Sequence, residues 1–141
     1  MTSDDPFDLQ RFVDAQAPVY ERVRAELKSG RKQSHWMWFI FPQIAGLGHS
    51  AMAQRYAISS LREAEAYLKH PVLGARLRES TRLVLQVDGK SANEILGSPD
   101  DMKFHSCLTL FARAAPDEEL FNAALDKYFE GRDDSLTLAR L

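Results

Sequence analysis

Cysteine is nearly absent from this sequence, and that shortage excludes several kinds of protein. The 141 residues include a single cysteine, Cys107, so the chain has no internal disulfide framework and no multi-cysteine zinc site. The four histidines contain no pair at the i, i+4 spacing of a helical metal site. Gly46 and Gly48 lack the third glycine and the preceding strand of a dinucleotide-binding motif. We therefore predict no metal site and no bound cofactor.

Long hydrophobic runs and a secretory leader are lacking as well. The first six residues are acidic and contain neither a basic segment nor an apolar one. Residues 33–54 contain no Asp, Glu, Lys or Arg, but their continuous apolar run covers only residues 36–42. A membrane-spanning helix needs about 20 predominantly apolar residues. We predict a soluble, cytoplasmic protein that makes no contact with a membrane.

A large excess of charge of one sign is also missing. The formal net charge is −2, which argues against a polycation built to bind nucleic acid. The charges are unevenly distributed, because residues 22–82 hold 11 Lys or Arg against 4 Asp or Glu, and the remainder holds 7 against 16. Arginines in the basic part suit an anionic small-molecule partner. We favour internal pairing with the acidic ends as the explanation of the asymmetry.

Strand signals are few, and helix signals are many. A length of 141 residues suits one domain spanning residues 1–141, with residues 1–6 as a flexible tail. Ser60 with Glu63 and Ser91 with Glu94 match the capping box that begins a helix. We predict an all-α, irregular single domain of seven or eight mostly short helices around an aromatic core helix. The helices are expected over residues 7–15, 18–29, 61–69, 71–87, 92–96, 99–115 and 117–130, with shorter ones after Ser34 and over 50–58.

The most unusual stretch is residues 35–43, which contain both tryptophans and two of the eight phenylalanines. A helix that is apolar on all sides is buried on most of them. We interpret this stretch as the central core helix, ended by Pro42. The side chains expected to be largely buried are Trp36, Phe39, Ile40 and Phe111.

Polar residues and glycines on either side of the aromatic stretch mark the candidate site. Ligand pockets are typically apolar and aromatic with a few converging polar groups, and functional residues often lie on loops above a rigid scaffold. We therefore predict a pocket between the loop at residues 43–50 and the helix start at residues 100–105, although plain turns and helix caps explain the same residues equally well. The expected ligand-binding residues are Trp38, Gln43, Gly46, Gly48, Ser50 and Arg55. The catalytic residue, if there is one, is left open among Asp100, Asp101 and His105.

Three functions follow from these features. The first is a small-molecule-binding helical domain that acts on an anionic or nucleotide-like metabolite, with a carboxylate as general acid or base if it is an enzyme. The second is a non-catalytic protein-interaction or regulatory module. Nucleic-acid binding is ranked last, because no recognised binding motif is present. A concavity shared by Gln43, Arg55 and Asp101 would favour the first function, and separate surfaces would favour the second.

Several motifs resemble those of a known family. The residues that carry the resemblance are the stretches 35–43, 46–48, 70–74, 97–101 and 109–111, with Ser50 and Lys103. Over about residues 7–141 the chain resembles the domain-of-unknown-function family numbered 1810. The resemblance implies a small, mainly helical bacterial domain, and it implies no particular activity.

Overall fold

The computed structural model describes residues 5–141, and the regular structure in that range is helical. The ten helices are α1 (Gln10–Gln16), α2 (Tyr20–Lys28), α3 (Met37–Ile40), α4 (Ala51–Arg55), α5 (Leu61–Lys69), α6 (Leu73–Leu85), α7 (Ala92–Leu96), α8 (Asp100–Ala114), α9 (Glu119–Phe129) and α10 (Ser135–Leu138). Residues 5–141 contain no strand, and one isolated parallel bridge joins Ile44 to Ile58. The predicted all-α fold is confirmed, with ten helices in place of seven or eight.

Side-chain caps explain the helices whose bounds the sequence predicts best. The Ser60 hydroxyl accepts a hydrogen bond from Glu63 N at 3.2 Å, at the start of α5. The Ser91 hydroxyl accepts one from Glu94 N at 3.1 Å, and the Glu94 carboxylate accepts one from Ser91 N at 2.9 Å. Each cap satisfies amide groups that have no partner within the helix. As a result, α5 and α7 begin and end at the predicted residues, whereas the other helices differ at one or both ends.

The helix at the centre of the fold is α8, which packs against α5, α7, α9 and α10. Eight of its 15 residues are buried, and Phe104 and Phe111 lie among them. It is the longest helix, and no helix within residues 5–141 is long and apolar enough to cross a membrane. The aromatic core of the protein is therefore built around α8.

The aromatic stretch packs onto this core but contributes only one helical turn, α3. Trp36, Phe39 and Ile40 are buried as predicted, and so is Phe111 on α8. The Phe41 ring meets the Phe104 ring edge-on, with centroids 4.9 Å apart, a favourable aromatic geometry. The stretch thus belongs to the core, but most of it is not a helix.

A buried carboxylate fixes the segment that leads into α3. Glu26 on α2 is 8% exposed, and its Oε1 accepts hydrogen bonds from Gln33 N at 2.8 Å, Ser34 N at 3.1 Å and Trp36 Nε1 at 2.9 Å. The Ser34 hydroxyl donates to Oε2. Burial alone raises the pKa of the Glu26 carboxyl, but the hydrogen bonds outweigh it and hold the pKa below its ordinary value. Glu26 is therefore ionised and fully paired at neutral pH.

A guanidinium group joins α1 to the end of α4, to the segment that follows it and to α5. Arg11 donates to the Glu63 carboxylate at 3.1 Å, and Glu63 is almost fully buried. The other donors of Arg11 bind backbone carbonyl oxygens, which belong to Phe7, Asp8, Arg55 and Ala57. A planar group with several fixed donors is required to make all of these bonds at once.

The flexible tail predicted for residues 1–6 lies largely outside the described residues. Asp5, which belongs to the described part of this tail, is bonded to Gln10, the first residue of α1, and to Leu9, the residue that precedes α1. The Asp5 carboxylate accepts hydrogen bonds from Leu9 N at 2.7 Å and Gln10 N at 2.9 Å. A carboxylate at this position suits the partial positive charge of a helix N-terminus.

Candidate functional site

A cleft of about 230 Å³ lies where the loop at residues 43–50, the first turns of α8 and the C-terminal α10 meet. It lies between the two junctions at which the sequence predicts a pocket. Its polar side chains belong to Gln43, Lys103, His105, Ser106 and Asp134. Its other lining residues are Leu47, Gly48, Pro99, Met102 and Leu136.

The loop side of the cleft is fixed by backbone hydrogen bonds. Ile58 N donates to Gln43 O and Ala45 N donates to Ile58 O, both at 2.8 Å. Gly46 follows with a φ of +99°, and a Cβ added there would lie 2.3 Å from a guanidinium nitrogen of Arg140. Glycine is favoured at this position because of its positive φ, whereas the Arg140 guanidinium is the far end of a flexible side chain that can move aside. The glycine therefore serves the backbone turn, and it does not line the cleft.

His105 joins α8 to the segment that follows α9. Its Nε2–H donates to the Arg132 carbonyl oxygen at 2.7 Å, and its ring stacks on Phe129 with centroids 4.2 Å apart. A carbonyl oxygen only accepts, so Nε2 carries the proton. The stacked ring is thus held in one orientation at the wall of the cleft.

Asp134 fixes the start of α10 against α8. Its Oδ2 accepts hydrogen bonds from the Ser106 hydroxyl at 2.7 Å and from the Thr137 hydroxyl at 2.6 Å. Its backbone N donates to Thr109 Oγ1 at 2.9 Å. Ser106 and His105 do not form a nucleophile–base pair, because the serine hydroxyl is bonded to Asp134 and the imidazole to Arg132.

Lys103 provides the one ammonium group that lines the cleft. Its Nζ lies 3.8 Å from Asp100 Oδ1 and 5.4 Å from the centroid of the Trp38 ring. Asp100 is bound more closely by Lys32, at 2.9 Å. Trp38 therefore reaches the site only through its contact with Lys103.

Three of the predicted site residues line the cleft, and they are Gln43, Gly48 and His105. Ser50 lies outside it and caps α4 by accepting a hydrogen bond from Ala53 N at 3.1 Å. Arg55 lies over the Tyr56 ring and borders a different concavity, between α1 and α4. Gln43, Arg55 and Asp101 thus do not share a concavity, and the prediction that Arg55 anchors a ligand in this pocket is not supported by its position.

The two aspartates considered as catalytic residues stabilise the start of α8. Asp100 is paired with Lys32, and Asp101 Oδ1 accepts a hydrogen bond from Met102 N at 2.9 Å. Neither side chain lines the cleft. Negative groups at this end of a helix are favoured by the helix dipole. Within residues 5–141, no three His, Cys, Asp or Glu side chains are grouped so as to hold a metal ion.

Sequence reasoning missed the third wall of the cleft. Asp134, Leu136 and α10 come after the last helix that the apolar pattern predicts. Aspartate is a common residue at the start of a helix, so Asp134 carried a local signal for α10. Its position opposite Ser106 depends on the way the C-terminal segment folds back onto α8, and no local signal predicts that.

Comparisons with known proteins agree with this fold. The model of a family described as a protein of unknown function, DUF1810, matches residues 6–141. The crystal structure of the conserved hypothetical protein Rv1873 from Mycobacterium tuberculosis is similar, with a TM-score of 0.96 and 59% sequence identity. That likeness covers 97% of this chain and 98% of that chain. A comparison with curated proteins found no match. The chain belongs to the DUF1810 family, as its sequence motifs predict.

Proposed function

We propose that the protein binds a small anionic metabolite in the cleft formed by the loop at residues 43–50, α8 and α10. One observation supports this above the others. Five polar side chains line a single concavity that is also bordered by Met102 and Leu136, two large apolar side chains that are 66% and 64% exposed. Ligand sites typically combine apolar walls with a few polar groups that fix orientation.

Lys103 supplies the positive charge for the anionic group. Its distance of 3.8 Å from Asp100 exceeds the ~2.7–2.9 Å of a charge-assisted hydrogen bond. Because Lys32 already pairs with Asp100 at 2.9 Å, the Lys103 ammonium can turn to a ligand without leaving that carboxylate unpaired. Gln43, whose side chain makes no hydrogen bond within residues 5–141, adds an amide donor from the loop.

The volume of the cleft favours a small ligand. Sites for drug-sized molecules typically measure ~300–1,000 Å³, and this cleft measures about 230 Å³. Of the two ligand classes predicted from the sequence, a small anionic metabolite therefore fits better than a nucleotide-like one.

We place this binding in the cytoplasm. Cys107 is buried and unpaired, and reduced cysteine is the usual state in that compartment. The thiol needs no oxidising environment, and its burial makes it a packing residue of the core.

A protein-interaction module is the second candidate function, and it is the one favoured by the separate positions of Gln43, Arg55 and Asp101. Met102 and Leu136 are the two most exposed large apolar side chains among the described residues. Docking surfaces usually present a contiguous apolar patch of several hundred Å². Here the two side chains border a concavity that five polar side chains also line, and we therefore favour a ligand over a docked protein.

The proposal is tested by measuring thermal stabilisation with small mono- and dicarboxylates and with inorganic phosphate. A compound present at 100 times its Kd stabilises the folded protein by about 2.7 kcal/mol. For a compound that binds, Lys103→Ala should weaken affinity about 10- to 100-fold, because a hydrogen bond to a charged group contributes ~1.5–3 kcal/mol.

Lys28→Ala is the matched control. Lys28 is an exposed lysine at the end of α2 and borders a different concavity. Its replacement should leave the affinity unchanged. The proposal is wrong if none of these anions stabilises the protein, or if both lysine variants bind the anion as the wild type does.

A further inference from the structure

Asp134 is a carboxylate that lines the cleft and has no cationic partner among residues 5–141. Two hydroxyl groups, those of Ser106 and Thr137, donate to its Oδ2. Within residues 5–141 its Oδ1 accepts no hydrogen bond, and the carboxylate forms no ion pair. A carboxylate that is partly withdrawn from water gains most from a positive partner. The two hydroxyls hold Asp134 in place, so that it offers a fixed acceptor to a ligand.

A charge of the opposite sign lies about one helical turn away. Lys103 and Ser106 are three residues apart on α8, and side chains at that spacing are neighbours, with Cβ atoms ~5–6 Å apart. Asp134 is bonded to Ser106, on the C-terminal side of Lys103 along α8, whereas the Lys103 ammonium lies 3.8 Å from Asp100 on the N-terminal side; both side chains line the cleft. To reach a ligand that also contacts Asp134, the ammonium turns away from Asp100, which Lys32 keeps paired. Asp134 and Lys103 form no ion pair with each other. One small molecule can therefore contact both groups through charge-assisted hydrogen bonds of ~2.7–2.9 Å.

The remainder of the lining is mostly apolar, with Leu47, Pro99, Met102 and Leu136. We propose that the cleft binds an amino acid with an apolar side chain. Its ammonium group contacts Asp134 Oδ1, its carboxylate contacts Lys103, and its side chain covers Met102 and Leu136. This inference rests on the proposed function, because it keeps the ligand's anionic group at Lys103, and it adds an ammonium group that makes the ligand a zwitterion.

The experiment uses calorimetric titration at pH 7 with L-leucine, L-methionine and L-phenylalanine. Leucine is compared with isocaproate, which has the same carbon skeleton without the amine, and with isoamylamine, which lacks the carboxylate. Each charged contact is expected to contribute about tenfold in affinity. Leucine should therefore bind at least about tenfold more tightly than either analogue.

Asp134→Asn tests the assignment of the ammonium group. Asparagine keeps an oxygen that accepts from Ser106 and Thr137, and circular dichroism checks that the fold is retained. In this variant the advantage of leucine over isocaproate should fall to about twofold or less. The control is Asp133→Asn, because the neighbouring carboxylate pairs with Arg113 at 3.0 Å and does not line the cleft. This control should bind both compounds as the wild type does.

The outcomes separate this inference from the proposed function. If isocaproate binds as tightly as leucine, or more tightly, the inference is wrong and the proposed function stands. An advantage of leucine that survives Asp134→Asn also overturns the inference. If isoamylamine binds as tightly as leucine, the anionic group is dispensable and the proposed function fails. If no amino acid, carboxylate or phosphate binds, both fail.

Discussion

Replacing Glu26 with alanine measures how much one buried carboxylate contributes to the segment that leads into α3. The change removes the acceptor of Trp36 Nε1, which lies in a fully buried side chain, and leaving such a donor unpaired costs ~1–3 kcal/mol. Gln33 N, Ser34 N and the Ser34 hydroxyl also lose their acceptor. These three groups lie nearer to solvent, and each lost bond costs ~0.5–1.5 kcal/mol. Glu26→Ala should therefore destabilise the protein by about 3–5 kcal/mol.

Glu26→Gln separates the hydrogen bonds from the charge. The glutamine carbonyl can take the place of Oε1 and keep its three donors, and the Ser34 hydroxyl can rotate to accept from the amide. What is lost is the charge assistance of the bonds, so the expected destabilisation is about 1–2 kcal/mol. The two variants should thus differ by about 1–4 kcal/mol.

The charge of the Glu26 carboxylate also makes the stability of the protein depend on pH. The pKa of the Glu26 carboxyl is lowered in the folded state, whereas an unfolded glutamate titrates near ~4.3. The ionised group therefore contributes stability above the unfolded pKa, and this contribution is lost as the pH falls through the folded pKa. The gap in stability between the wild type and Glu26→Gln should narrow as the pH is lowered below about 4.

Urea unfolding followed by far-ultraviolet circular dichroism measures all of these quantities. With a urea m-value of about 2 kcal/mol/M, a loss of ~4 kcal/mol lowers the unfolding midpoint by about 2 M. The reasoning is refuted if Glu26→Ala destabilises by less than about 1 kcal/mol. It is also refuted if the gap between the wild type and Glu26→Gln is as large at pH 3 as at pH 7.

Two further predictions concern other buried groups. Arg11→Ala should destabilise the protein by about 3–5 kcal/mol, because it leaves the buried Glu63 carboxylate without its cation. Arg11→Lys should recover only part of this loss, because a lysine lacks the planar donors. Equal urea midpoints for Arg11→Ala and the wild type would contradict this prediction. Burial raises the pKa of the Cys107 thiol well above its usual value. Cys107 in the folded protein should therefore stay unmodified by a disulfide reagent at pH 8, and it should react fully in denaturant. Rapid labelling of the folded protein would contradict this prediction, because it would show that the thiol is accessible.

Helices marked by their own side chains could be predicted from the sequence. Ser91 and Glu94 interact with each other's backbone, so the bounds of α7 depend on residues that are close in sequence. The burial of Trp36 could likewise be predicted, because a stretch that is apolar on every side has few exposed arrangements.

The aromatic helix shows where local reasoning stops. The apolar pattern predicts a helix that starts after Ser34 and ends at Pro42, but the Ser34 N–H and hydroxyl are both bonded to Glu26 on α2. The chain therefore stays non-helical until Met37. The Glu26 carboxylate, eight residues before Ser34, binds the Ser34 groups that would otherwise cap the helix. The apolar pattern of the aromatic stretch does not predict this interaction.

The sequence predicted where the cleft lies, but it predicted only some of the residues that line it. The two junctions at residues 43–50 and 100–105 do border one cleft, since both lie beside the apolar core. Arg55 borders a different concavity beside α1, which spacing along the chain does not reveal. Asp134 reaches the cleft only through the fold-back of the C-terminal segment onto α8.

On the proposed function, the attachment of α10 sets how a ligand arrives and leaves. Within α10 only Thr137 is buried, and the segment is bound to α8 through the Arg113–Asp133 ion pair and the hydrogen bonds of Asp134 and His105. Segments with few buried apolar contacts open locally at a lower free energy than the core needs to unfold. One wall of the cleft can therefore swing away while α8 and its aromatic neighbours stay packed. A ligand that contacts both α8 and α10 holds that wall closed, so its residence time depends on the opening rate of the C-terminal segment and not on the stability of the whole fold.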